Sequence, residues 1–139
     1  MQSLKVNRCR IIKLTSFKDG RDGVLSIAEN GKEVPFSVQR VYYIYGLNDG
    51  SAIRGKHAHK HNQQVIFCIN GSFTLEVDDG TSQQEIVLDS PDKGVYMDTG
   101  LWHTMKDFSE NCILLILASD LYDEGDYIRD YEEFKKYIL

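Results

Sequence analysis

This sequence predicts an all-β barrel or sandwich ending in one short helix, and three observations carry that prediction. Short runs rich in Val, Ile, Phe and Tyr recur between Gly, Asn, Asp and Pro turn signals, roughly every 8–12 residues. Within the clearest of them, Phe73-Thr74-Leu75-Glu76-Val77, apolar and polar residues alternate as the two faces of a strand require. Near the C-terminus the apolar spacing changes from strand-like to helical.

Taken in order, residues 6–14 alternate loosely and stop at Thr15-Ser16, as an edge strand would. Asp19-Gly20-Arg21-Asp22-Gly23 is a turn with two glycines able to take positive φ. Residues 24–29 form a short strand closed by Asn30-Gly31, a hairpin signal. After Pro35, residues 37–45 are dense in Val, Ile and Tyr, which suit a half-buried pleated surface. A loop then delivers the chain to Arg54. Strand 65–69 turns at Asn70-Gly71 into 73–77, and Asp78-Asp79-Gly80 turns into 84–88. Ser90-Pro91-Asp92-Lys93-Gly94 leads to 95–97, Thr99-Gly100 to 102–105, and Asn111 to the apolar strand 112–118. Tyr127, Ile128, Tyr131, Phe134, Tyr137 and Ile138 then recur at helical spacing, with Lys135 and Lys136 placed to favour the helix dipole.

The 139 residues hold no long polar or low-complexity stretch, so a single domain, 1–139, is expected. The longest apolar run, 113–118, is far short of the ~20 residues that cross a bilayer. The first ten residues lack an apolar core, so no secretory signal and a cytoplasmic location are expected. Cys9, Cys68 and Cys112 are odd in number and widely spaced, which reads as buried free thiols. A net charge of −5 without a basic stripe argues against nucleic acid. An anionic small ligand stays open, because Arg40 and Arg54 could grip phosphate.

The stretch Arg54-Gly55-Lys56-His57-Ala58-His59-Lys60-His61 holds three of the four histidines. On a strand, His57 and His59 share one face, and His61 can follow them. Two imidazoles on the inner face of a sheet point to chemistry rather than packing.

Gly55, His57, His59, Gln64 and Gly71, then Gly94, Gly100 and His103, resemble the two motifs of the cupin superfamily. Gln64 stands where that pattern has Glu, and Asp98 where it has Pro. The resemblance implies a double-stranded β-helix, or jelly roll. The strings Val41-Tyr42-Tyr43-Ile44, Arg54 to Lys60, Leu88-Asp89-Ser90-Pro91, Ala118-Ser119-Asp120-Leu121-Tyr122-Asp123-Glu124 and Asp126-Tyr127-Ile128-Arg129 look more narrowly like the small cupin sugar ketoisomerases. Members of that family turn a dTDP-4-keto-6-deoxyhexose into its 3-keto isomer, ahead of an aminotransferase that makes a 3-amino sugar.

The family match implies acid/base roles for His57 and His59, with His59 taken as the base at C3 and His57 as the proton shuttle. An unperturbed imidazole, with pKa ~6.5, suits both jobs. Arg54 is expected to bind the diphosphate. Tyr43 is expected to hold the sugar or relay a proton, although alternation leaves Tyr42 and Tyr43 interchangeable. Gln64 is expected to hydrogen-bond a catalytic histidine or the sugar, and His103 to support the wall or touch substrate. Arg40 is a further substrate-binding candidate, and Trp102 one for stacking on thymine. A homodimer is implied by resemblance. This reading needs no metal or other cofactor. The alternatives are a metal-dependent cupin, with His57, His59, His103 and a weakly ligating neutral Gln64, and a non-enzymatic sugar-nucleotide binding module.

Overall fold

A computed structural model describes residues 3–139. The first half contains strands β1 (Cys9–Lys13), β2 (Thr15–Lys18), β3 (Val24–Ile27), β4 (Arg40–Leu47), β5 (Arg54–His59) and β6 (Gln64–Asn70). The second half contains β7 (Phe73–Asp78), β8 (Gln83–Leu88), β9 (Lys93–Met97), β10 (Trp102–Lys106), β11 (Cys112–Ala118) and β12 (Tyr127–Ile128). One α-helix among the described residues, α1 (Tyr131–Tyr137), follows them. One five-stranded sheet runs β1-β9-β6-β11-β4 and the other β12-β5-β10-β7-β8, with β2-β3 as a separate hairpin. All strand pairs are antiparallel, and β11 and β10 each lie between strands distant in sequence. This is the jelly roll that the turn spacing and the cupin motifs led us to expect.

The main core fills the space between the sheets, with Ile66, Phe73, Leu75, Val77, Ile86, Val95, Leu114 and Ile116 almost fully buried. Strand β6 is apolar on successive residues because both its faces are covered. Ile66 and Cys68 face the inner core, while Val65 and Phe67 pack outward with Ile12, Leu14 and Val34. The Cys68 and Cys112 thiols are free, buried and 3.6 Å apart, and Cys9 is half-buried.

The first strand stops before Thr15-Ser16 and lies at a sheet edge, as expected, and Thr15 and Ser16 then open β2, which pairs with β3 across the Asp19–Gly23 turn. Two local expectations are corrected. Asn30-Gly31 joins no hairpin, because residues 29–34 close a small turn that seats Val34 in the outer core. Tyr127 and Ile128 are strand, not helix: they pair with His59 and Ala58 at the edge of β5. Their apolar spacing matched a helix because two sheet-facing residues happen to precede the helical face.

The helix is held by Phe134, fully buried against Ala58 and Ile128, and by the Tyr131 hydroxyl, which donates to Asp78 Oδ2 at 2.5 Å. We expect Phe134→Ala to lower folding stability by about 3–5 kcal/mol in urea melts. A loss under 1 kcal/mol would mean that the helix is only loosely docked.

Candidate active site

The site begins with a fault in β5. Gly55 and Lys56 both take positive φ, 82° and 59°. The partner strand accommodates them as a bulge: His103 pairs with His57, but Thr104 pairs with Gly55, leaving Lys56 as the extra residue. A side chain at position 55 would meet the His103 carbonyl oxygen at 2.9 Å, so glycine suits both the close approach and the left-handed backbone. The bulge sets His57 directly across from His103. Ala58 then turns outward to the helix, and His59 turns back inward.

The three rings converge. The His57 centroid lies 4.9 Å from that of His59 and 4.6 Å from that of His103, and one ring nitrogen from each lies within 4.8 Å of the others. Tyr127 packs on His57 at 4.9 Å and on His59 at 4.6 Å. Such a group could hold a transition metal through three neutral imidazoles, with Gln64 alongside as a poor fourth ligand.

Asp126 sets the tautomer of His59. Its Oδ2 lies 2.8 Å from His59 Nδ1, and its Oδ1 accepts the His61 backbone N–H at 2.5 Å. Burial pushes the Asp126 carboxyl up, but the His61 N–H and His59 outweigh it and hold it below its ordinary range. An ionised carboxylate only accepts, so His59 Nδ1 carries the proton and Nε2 keeps a lone pair. Among the described residues, that Nε2 is buried without a partner, as is His57 Nδ1. His103 Nδ1 likewise donates to the Leu101 carbonyl at 3.3 Å, so its Nε2 carries the lone pair.

All three imidazoles are held neutral. Burial, then the neighbouring His59, brings His57 down to about 4. Burial and His103 bring His59 to about 4 against the opposing pull of Asp126. Burial and His57 bring His103 to about 3. They are therefore proton acceptors at neutral pH.

His57 and His103 stand at a cavity of about 340 Å³ between the sheets. His57, His103, Gln64, Tyr42, Tyr127, Arg54 and Arg129 supply its polar lining, and Ile44, Ile66, Met97, Met105 and Ile116 its apolar floor. Tyr42 donates its hydroxyl to Gln64 Oε1, and burial keeps the phenol protonated far above neutral pH. His59 lies behind His57, only 3 % exposed and off the lining.

The sequence-derived candidates divide accordingly. Arg54, His57, Gln64 and His103 line the cavity. Arg40 does not: its guanidinium lies over the rings of Tyr42, at 5.1 Å, and Tyr122, at 5.9 Å, with Nε buried and unpartnered. Tyr43 is corrected to the outer face, 63 % exposed and stacked on Tyr45, because β4 turns Arg40, Tyr42 and Ile44 inward. Trp102 is corrected as well. It packs outward on Tyr131 and Phe134, and alternation then sends His103 inward. His61 is exposed just past β5.

Sequence reasoning left Tyr42 open beside Tyr43 and gave no site role to Asp126, Tyr127 or Arg129. For Tyr42 a signal existed: Arg40 as a site residue requires Tyr42, two positions on, to share its face. The other three stood in the string Asp126-Tyr127-Ile128-Arg129, which carried the resemblance, but Tyr127 was read as opening the helix and no role was drawn for Asp126 or Arg129.

The comparisons with known proteins agree with this architecture. The family model described as FdtA: WxcM-like, C-terminal matches residues 7–139. The chain belongs to that family of small cupin-like proteins. It is 50% identical over 129 residues, 93% of this chain and 91% of the other, to the TDP-4-oxo-6-deoxy-alpha-D-glucose-3,4-oxoisomerase of Aneurinibacillus thermoaerophilus. It superposes on a mutant of the 3,4-ketoisomerase QdtA from Thermoanaerobacterium thermosaccharolyticum, solved with TDP-4-keto-6-deoxyglucose. There the TM-score is 0.91 at 36% identity, covering 96% of this chain and 95% of that one. A 3,4-ketoisomerase from Helicobacter canadensis gives 0.89 at 39% identity, covering 94% and 96%.

Proposed function

We propose that this protein is a TDP-4-keto-6-deoxyglucose 3,4-ketoisomerase that moves protons with His57 and His59. The observation that carries the reading is the cluster of neutral imidazoles at the end of a half-apolar cavity, in a chain half identical to such an isomerase.

The chemistry needs no net gain or loss of atoms. The hydrogen on C3 is α to the C4 carbonyl and leaves to a base, while the carbonyl oxygen takes up a proton. The resulting 3,4-enediol then loses the C3 hydroxyl proton as C4 receives one, and the carbonyl now stands at C3. The position of His57 on the cavity wall favours it, rather than His59, as the group that meets the sugar carbons. His59, oriented by Asp126, stands next to it as relay and support. Tyr42, kept protonated, and Gln64 supply hydrogen bonds to the sugar oxygens. Arg54 serves the diphosphate, and Arg40 contributes positive charge behind Tyr42.

A metal-dependent reading draws on the same three histidines; it expects stoichiometric bound metal and loss of turnover with chelator. One experiment addresses both. Incubation with TDP-4-keto-6-deoxyglucose in deuterated buffer containing EDTA, followed by NMR, is expected to yield a 3-keto sugar with deuterium entering at C4. Unchanged sugar under these conditions, with turnover restored by a divalent metal, would replace the metal-free scheme.

The proposal includes a homodimer and a downstream aminotransferase acting on the 3-keto product. The apolar face of Tyr43, Tyr45, Ile69, Ile113 and Leu115 supports a self-contact of this kind. No helix among the described residues is long and apolar enough to cross a membrane.

A further inference from the structure

The histidine chemistry leaves Arg129 unused, although it lines the cavity beside Tyr127 and shares that lining with Arg54. Its guanidinium grips Glu124 with two nitrogens, Nε at 2.8 Å and Nη2 at 3.0 Å, and lies 4.3 Å over the Tyr127 ring. The Tyr122 hydroxyl donates to the same carboxylate at 2.6 Å. Both charged side chains are more than half exposed, 53% for Arg129 and 59% for Glu124, so water screens the pair and it separates readily. An arginine fork meets a carboxylate and a phosphate with the same two-point geometry. Glu124 thus occupies the place against the cavity-lining Arg129 that a phosphate oxygen pair would take.

Resting on the reading of this cavity as a nucleotide-sugar site, we propose that Arg129 binds the substrate's diphosphate and that Glu124 is a built-in substitute anion which the diphosphate displaces. Glu124 is then a positioning residue, acting through Arg129. It keeps the guanidinium over Tyr127, whose ring touches both His57 and His59, and it competes with the incoming phosphates. Anchoring of the nucleotide and contact with the catalytic rings meet on one aromatic side chain.

Calorimetric titration of the full chain with TDP, and separately with thymidine, tests this. Arg129→Gln is expected to weaken TDP about tenfold, the loss of a charged hydrogen-bond pair. Glu124→Gln, which keeps the shape and removes the charge, is expected to tighten TDP about threefold. In the double variant the gain from Glu124→Gln disappears, and thymidine affinity stays constant throughout. Raising the salt concentration is expected to weaken TDP more in the wild type than in Arg129→Gln. Equal TDP affinities in wild type and Arg129→Gln, or weaker binding in Glu124→Gln, would overturn the proposal. A wild type that isomerises its substrate yet gives those results loses only this inference; one that binds no TDP loses the functional reading with it.

Discussion

His57→Asn is expected to cut isomerase turnover by about 10²–10⁴-fold while TDP binding persists, the range typical of removing a positioned general base. Three features single His57 out. It lines the cavity, it faces His103 across the bulge, and burial keeps it in the proton-accepting form. Asparagine retains polarity and approximate volume at the cavity wall but accepts no proton from carbon. The measurement is the rate of 3-keto product formation and of C3 hydrogen exchange by NMR. Loss of both with intact TDP affinity is the expected result. Wild-type exchange in His57→Asn would move the base elsewhere in the cluster. Asp126→Asn is the companion variant. It removes the carboxylate that fixes the His59 tautomer, and turnover is expected to fall about tenfold or more while the fold persists.

Folding stability is expected to fall by several kcal/mol as pH drops from 6.5 to about 4. In the unfolded chain the histidines protonate near 6.5. In the folded chain His57 and His59 resist until about 4, and His103 until about 3. Between those values the unfolded state binds more protons, so stability rises with pH through this window and is fully present above 6.5. The groups facing the cluster act in both directions. Asp126 favours the protonated form of His59, whereas Arg40 opposes it. The carboxylates act in a lower window: Asp126 is shifted down, and Asp79, which burial pushes up, is brought to about 2 by N–H donors from Asn7, Thr81 and Ser82. Their contribution is lost only as pH falls below the ordinary carboxylate range. Urea melts at half-unit intervals from pH 7.5 to 4 check the slope. A flat profile across 6.5 to 4.5 would show that the rings charge freely in the folded protein.

What the sequence determined by itself was local. Period-two alternation and turn residues specify strands whatever lies across from them, which is why β7, β8, β10 and β11 were legible to within a residue or two. The spacing of His57 and His59 placed both on one face, because strand geometry needs no partner to impose it. Tertiary structure decided whatever depended on which face met which neighbour. The parity of β4 was set by packing of Tyr42 and Ile44 against the main core, which left Tyr43 outside. Trp102 went outward because the helix covers that side of β10. Asp126 entered the site because the pairing of β12 with β5 brings it to His59, 67 residues away in sequence, and no local pattern encodes such a contact. The neutral state of the histidines belongs to the same class, since it arises from burial and mutual proximity that exist only once the two sheets close.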